Sequence, residues 1–395
     1  LTLMKFNKFF MLAMAGLAMT ACSSDDEMGT QFPNGNGAVS IRIVNPAMSR
    51  AVVDGHDKAV IVTPAVGSDV TVILMDGDTP RELKISAENW RVAQSKVVTF
   101  WGVTNPTSVS VAMNNGRAEY TDTDAVNGEN VQKVENVPVY GATSDFTLTE
   151  QVKNPSDGNM QDGYLEANKD TKYQMYTATV KMAIPVARLE VSGIKHVTHT
   201  REGDDNCKYQ KLTIAGVYLD NVIANGAGVK YAANGYSEAN GTPTDYCFDG
   251  TNGTGVAALL KDEIVAPDND FLAAGAEWPK QTTGEGVKTQ VFGYNFFGCK
   301  STNMPKFKIY FSDSKSVDES KPLPAPRYAM ITKYKNTEGD VLPAFEPGKI
   351  YRITEAVLSD QNIIGDEGGN TTFGVEVTVI EAEWQPVNIT AEWQD

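Results

Sequence analysis

The chain has 395 residues and carries 34 basic against 50 acidic side chains, a formal net charge of −16. A body this acidic repels phosphate backbones, and with no basic stripe to offset it a nucleic-acid-binding role is excluded. Three histidines and four cysteines are a poor inventory for metal or nucleophile chemistry.

The first element is a targeting segment. Lys5 and Lys8 precede an apolar run from Phe9 to Ala18, and Met19-Thr20-Ala21 leads into Cys22. The run is too short to span a bilayer stably, and the small residues before Cys22 fit a signal peptidase that leaves the cysteine as a lipidated N-terminus. Residues 1–22 therefore read as a lipoprotein signal peptide starting at Met4, although Met19 stands where Leu is usual. With no second membrane segment in the sequence, the acyl chain on Cys22 is the expected anchor. Roughly 370 residues follow, enough for two domains at about 100–200 residues each.

The body alternates apolar and polar residues. Val39-Ile41-Ile43, Val70-Val72-Leu74, Val109-Val111-Met113, Leu189-Val191, Leu212-Ile214, Phe307-Ile309-Phe311 and Val375-Val377-Val379 all place apolar side chains at a spacing of two, the mark of half-buried strands. Turn-rich stretches separate them, such as Asn225-Gly226-Ala227-Gly228, Asn234-Gly235 and Asp249-Gly250-Thr251-Asn252-Gly253. The expected fold is all-β with long loops, built as sandwiches because no βαβ rhythm is present; Gly255–Lys261 is one candidate helix. The expected division is a leader carrying the first strand (23–50), an N-terminal sandwich (51–175), a C-terminal sandwich (176–358), and a linker with a strand appendage (359–395).

Candidate chemistry is sparse. His196 and His199 sit three apart in a strand-like context, which tends to put them on opposite faces, so no metal site is expected. Asp122–Gly128 resembles a calcium loop superficially, but Val126 and Lys133 stand where oxygen ligands are needed. Asp76-Gly77-Asp78 and Asp268-Asn269-Asp270 read as polar turns. Cys207, Cys247 and Cys299 form at most one disulfide and match no zinc or redox spacing. No catalytic residue, cofactor or metal is assigned, and the chain is not expected to be an enzyme.

Function is sought instead at the two ends. At one end Ala38–Ile43 forms a first strand with Val39, Ile41 and Ile43 on one face, followed by Met48-Ser49-Arg50-Ala51. A trypsin-like protease cutting between Arg50 and Ala51 releases that strand. At the other end Val375, Val377 and Val379 share one strand face, as do Val387, Ile389, Ala391 and Trp393. So apolar a segment needs a sheet to pair with, either as a terminal hairpin of its own domain or as a donor to a neighbour.

These features together resemble the fimbrillins of the Bacteroidales, the type V pilins. The resemblance rests on the order of the lipobox at Cys22 with Ser23-Ser24-Asp25-Asp26-Glu27 behind it, the strand before Arg50, and Val139-Tyr140-Gly141-Ala142-Thr143. Pro185-Val186-Ala187-Arg188-Leu189-Glu190-Val191, Pro347-Gly348-Lys349-Ile350-Tyr351-Arg352-Ile353 and the terminal Val375–Val379 with Trp384 complete it. It implies two tandem transthyretin-like β-sandwiches, palmitate-type lipoprotein export to the outer membrane and cell surface, cleavage by an Arg-specific protease, and polymerisation with copies of itself or related pilins by donor-strand exchange. The expected product is an adhesive fimbrium.

The physics is independent of the resemblance. Removing a strand leaves unpaired backbone groups and an apolar floor, a template for β-addition. A donor of about seven to ten residues restores ladder bonds at roughly 0.5–1.5 kcal/mol each and buries three or four apolar side chains at roughly 1.5–3 kcal/mol each. Two other expectations compete: a tip or accessory adhesin, and a monomeric surface lipoprotein that binds a host glycan or protein. Tyr294, Phe296 and Phe297 are candidates to line such a site, but their strand positions fit a core better.

Overall fold

The computed structural model describes residues 35–44, 69–93, 97–121, 136–153, 161–163, 171–191, 194–197, 209–223, 226–233, 235–243, 260–264, 277–278, 292–316, 327–353, 356–359, 363–365, 375–378 and 380–383. Cys22, Arg50, Ala51, Val379, Val387, Ile389, Ala391 and Trp393 lie outside the described residues, as do His199, Cys207, Cys247 and the loops at 122–133 and 268–270.

Alternating apolar residues become strands throughout the first half. In order these are β1 (Gly37–Val44), β2 (Val70–Asp76), β3 (Thr79–Ile85), β4 (Val98–Val103), β5 (Pro106–Met113), β6 (Val139–Thr143), β7 (Thr147–Lys153), β8 (Gln161–Asp162) and β9 (Lys172–Lys181). They build a five-stranded sheet, β7-β9-β1-β4-β8, and a four-stranded sheet, β3-β2-β5-β6. Val39, Ile41 and Phe100 from the first sheet and Val70, Val72, Leu74, Val109 and Val111 from the second are fully buried in one core. The Asp76-Gly77-Asp78 turn is as expected: Gly77 takes φ 63°, and the Asp76 carboxylate accepts the Thr104 amide at 2.9 Å. One helix, α1 (Ala87–Ala93), was not legible as such; the Ser86 hydroxyl accepts the Asn89 amide at 3.3 Å at its start, and Trp90 fixes it to the core.

The second half contributes β10 (Val186–Val191), β11 (Ile194–Val197), β12 (Tyr209–Asp220), β13 (Tyr231–Ala232), β14 (Gly235–Tyr236), β15 (Lys261–Glu263), β16 (Glu277–Trp278), β17 (Phe292–Phe297) and β18 (Cys299–Lys300). There follow β19 (Lys306–Ser316), β20 (Arg327–Lys335), β21 (Ala344–Phe345), β22 (Lys349–Ile353), β23 (Ala356–Ser359), β24 (Ile364–Gly365), β25 (Val375–Thr378) and β26 (Ile380–Glu383). The main sheets run β17-β10-β22-β26, β16-β11-β23 and β15-β12-β19-β20-β24, with β25 also on β20. The fold is all-β. Tyr294, Phe296 and Phe297 are core residues, and Cys299 is a buried free thiol whose pKa burial pushes up to about 12.

Three sequence expectations meet a different arrangement. The boundary placed after residue 175 falls inside β9, whose pairing with β1 continues to Val44↔Lys181; the next sheet's strand begins at Val186. Lys261, the end of the candidate helix, begins strand β15, and residues 255–259 lie outside the described residues. The linker at 359–371 is not loose throughout: Ile363 is buried, and Ile364 pairs with Tyr328.

The two halves are also joined. The Tyr120 amide donates to the Val229 carbonyl at 3.0 Å and the Tyr231 amide to the Ala118 carbonyl at 2.7 Å. Edge-to-face stacking of Tyr140 on Tyr231, centroids 5.2 Å apart, packs the same junction.

Candidate strand-exchange site

β1 is an inner strand. It runs antiparallel to β4, with Ala38↔Trp101, Val39↔Phe100, Ser40↔Thr99 and Ile41↔Val98. On its other side it runs parallel to β9 from Gly37↔Gln174 to Val44↔Lys181. The period of two sends Val39, Ile41 and Ile43 into the core at 0%, 0% and 7% exposure, while Arg42 on the other face is exposed. The three residues read from the sequence as the face of the first strand are thus brought together on the sheet's inner side. Taking β1 out divides a five-stranded sheet into β7-β9 and β4-β8 and strips both new edges of their hydrogen-bond partners.

The outer face of β1 carries a feature the sequence reading missed. Ala38, Trp101 and Tyr173 form a small buried cluster of their own, with Met175 packed against it. The Trp101 and Tyr173 rings meet edge-on, centroids 5.2 Å apart, and the Trp101 Nε1–H donates to Gln161 Oε1 at 2.9 Å. Gln161 lies on β8, where the neighbouring Asp162 carboxylate accepts Arg81 Nε at 2.9 Å. The sequence signal that could have shown both faces of β4 covered is the dense apolar stretch Val98–Val103, broken only by Thr99 and Gly102.

Where one strand carrying Val375, Val377 and Val379 was expected, two short strands are described, both on the chain's own sheets, and the second expected strand, with Val387, Ile389, Ala391 and Trp393, lies outside the described residues. β25 runs parallel to β20, with Val375↔Ile331, Glu376↔Lys333, Val377↔Tyr334 and Thr378↔Lys335. β26 runs antiparallel to β22 from Lys349↔Glu383 to Arg352↔Ile380. Of the two possibilities the sequence left open, these pairings are the one with the chain's own sheets, and each gives the strand's backbone a ladder of partners. Beside β26, the buried Glu190 carboxylate accepts Arg188 Nε at 2.8 Å and Arg352 Nε at 2.9 Å, and Arg188 Nη1 donates to Asn295 Oδ1 at 3.1 Å. A Cβ on Gly293 would lie 2.1 Å from the Arg188 guanidinium, so glycine there makes room for the network. Among the described residues, no group of three or more His, Cys, Asp or Glu is placed to hold a metal ion, and no helix is long and apolar enough to cross a membrane.

The geometry defines an all-β protein whose first described strand is an inner one and whose last described strands pair with β20 and β22. A stretch of 86 residues is 35% identical to the major fimbrium subunit FimA type-2 of Porphyromonas gingivalis, spanning 22% of this chain and 20% of that protein. The similarity of this chain is thus to fimbrillins, in line with the resemblance in its motifs. No family model matches. Among solved structures, a proposed cell adhesion protein of Bacteroides eggerthii aligns over 91% of this chain and 100% of its own at 18% identity, TM-score 0.48. A fimbrilin of P. gingivalis aligns over 90% and 99% at 14% identity, TM-score 0.47. A fimbrial assembly protein of Parabacteroides distasonis aligns over 82% and 93% at 11% identity, TM-score 0.29.

Proposed function

We propose that this chain is a structural fimbrial subunit, without catalytic activity, that joins copies of itself or related pilins into an adhesive fibre on the cell surface. The observation that carries the reading is the inner position of β1. In this reading the precursor is lipidated at Cys22 and held at the outer membrane, and an Arg-specific protease cuts between Arg50 and Ala51. β1 then leaves, and the C-terminal segment of a neighbour, containing Val375, Val377, Val379, Val387, Ile389, Ala391 and Trp393, fills the gap. While β1 stays covalently attached, its effective concentration is of order millimolar, so a dilute partner does not displace it.

The test is truncation of residues 372–395 in the full chain treated with an Arg-specific protease. Strand donation predicts a protein that still melts cooperatively but no longer polymerises. A second reading, a monomeric surface lipoprotein binding a host glycan or protein, is favoured by the pairing of β25 and β26 with the chain's own sheets. That reading predicts no polymer from the full chain under any processing.

A further inference from the structure

Adjacent strands lie about 4.8 Å apart, so the backbones of β4 and β9, on either side of β1, are separated by roughly 10 Å. Trp101 on β4 and Tyr173 on β9 nevertheless touch. They do so by arching over the outer face of β1, and the residue beneath them is Ala38, which is fully buried. Gln161 holds the indole from the far side. With Ala38 fully buried in one cluster with two touching rings, a larger side chain at this place would have to part them.

We propose that Trp101 and Tyr173 form an aromatic clasp that selects the register of the incoming strand, admitting Gly374 at the place of Ala38. The proposal rests on the strand-exchange reading above and adds which residues pair. The vacated groove sets three conditions: a small residue under the clasp, then apolar β-branched residues at the places of Val39, Ile41 and Ile43, with the intervening residues facing out. Gly374-Val375-Glu376-Val377-Thr378-Val379 meets all three in the direction of Ala38-Val39-Ser40-Ile41-Arg42-Ile43.

The alternatives fail. Running the same segment backwards puts Ile380 under the clasp. Sliding it forward by two puts Glu376 under the clasp and Glu381 in the core. Using Val387-Ile389-Ala391 places Pro386 under the clasp, where its missing N–H costs a ladder bond, and leaves a cavity at Ala391. At Gly37 a Cβ would lie 2.7 Å from the Val103 carbonyl oxygen, so side-chain-bearing residues enter the groove no earlier than Ala38's place. That puts Phe373 outside it.

The test uses the full chain, digested with an Arg-specific protease and followed by sedimentation and electron microscopy. Gly374→Ala, which supplies the residue β1 itself uses, is expected to polymerise at the unaltered rate, and Gly374→Leu to lose polymer at least tenfold. Trp101→Ala opens the clasp and is expected to restore assembly to Gly374→Leu. Because Trp101→Ala is itself a core change, a second measurement leaves the clasp intact. The cysteine pair Thr99→Cys with Glu376→Cys should form intersubunit disulfides in fibres, since Ser40 faces Thr99, whereas Thr99→Cys with Thr378→Cys should not. Full assembly of Gly374→Leu together with crosslinking through Thr378 overturns the register. Polymerisation of the chain truncated at residue 372 overturns the exchange reading instead, so the two failures are distinguishable.

Discussion

Ile41 offers the sharpest test of β1 as an integral strand rather than a loosely laid leader. Its side chain is fully buried in the core, between Val98 on β4 and Ala178 on β9, while its neighbour Arg42 is exposed. Ile41→Ala removes buried carbons from a close-packed site and should cost about 2–5 kcal/mol, whereas Arg42→Ala should stay within about 0.5 kcal/mol. At roughly 2–4 °C per kcal/mol for a large domain, Ile41→Ala should lower Tm by on the order of 5–15 °C, measured on the unprocessed chain by calorimetry. If β1 opens as a local unit, the same change should raise its released population by roughly tenfold for each 1.4 kcal/mol, read as faster hydrogen exchange at Phe100 and Ala178. Equal Tm values for Ile41→Ala and Arg42→Ala would refute the reasoning.

Other expectations follow from separate parts of the molecule. Glu190→Ala leaves the Arg188 guanidinium buried without its carboxylate and should destabilise by about 3–5 kcal/mol in denaturant melts, with Glu190→Gln milder. Cys299, its pKa raised to about 12 by burial, should resist iodoacetamide at pH 8 in the native chain and react on unfolding, as read by peptide mapping. Because the unfolded thiol ionises near pH 8.5–9 and the folded one near 12, Cys299 should cost stability progressively as pH rises between those values, with none lost below. Tyr236 and Tyr334, raised by burial, act in the same direction. Cys22→Ala should abolish acyl labelling and surface display in cells. Arg50→Ala should keep the purified chain monomeric after protease treatment, as judged by light scattering.

Much of the fold was legible because a period of two is a strong signal wherever one sheet face is buried: β1, β2, β5, β12 and β19 all lie where alternating residues placed them. The position of β1 between β4 and β9 was not legible. Nothing local in Ala38–Ile43 distinguishes an inner from an edge strand, since partner choice depends on residues some sixty and one hundred and forty positions away. The clasp was hidden for the same reason. Nothing in the sequence singles out Trp101 and Tyr173; only the topology, which puts a third strand between them, does. The short helix at Ala87–Ala93 escaped because about two turns carry too few apolar residues for a 3.6 period to emerge; its signals were Ser86 as a cap and a single buried Trp90.

If strands are exchanged as proposed, the placement of the two ends gives the exchange a thermodynamic direction. Among the described residues β25 pairs with β20 and β26 with β22, four residue pairs in each case, so releasing either strand gives up that ladder. A strand entering the place of β1 forms two, one on β4 and one on β9. With each ladder bond worth roughly 0.5–1.5 kcal/mol, exchange of an edge position for an inner one gains several bonds that the monomer cannot make once β1 is gone. An edge strand on the acceptor side would have given no such gain, because its loss leaves the rest of the sheet paired. In the proposed exchange the inner strand would therefore have two roles: attached, it completes the sheet without a partner, and removed, it leaves a gap between β4 and β9 that a released edge strand fills with a net gain in backbone pairing.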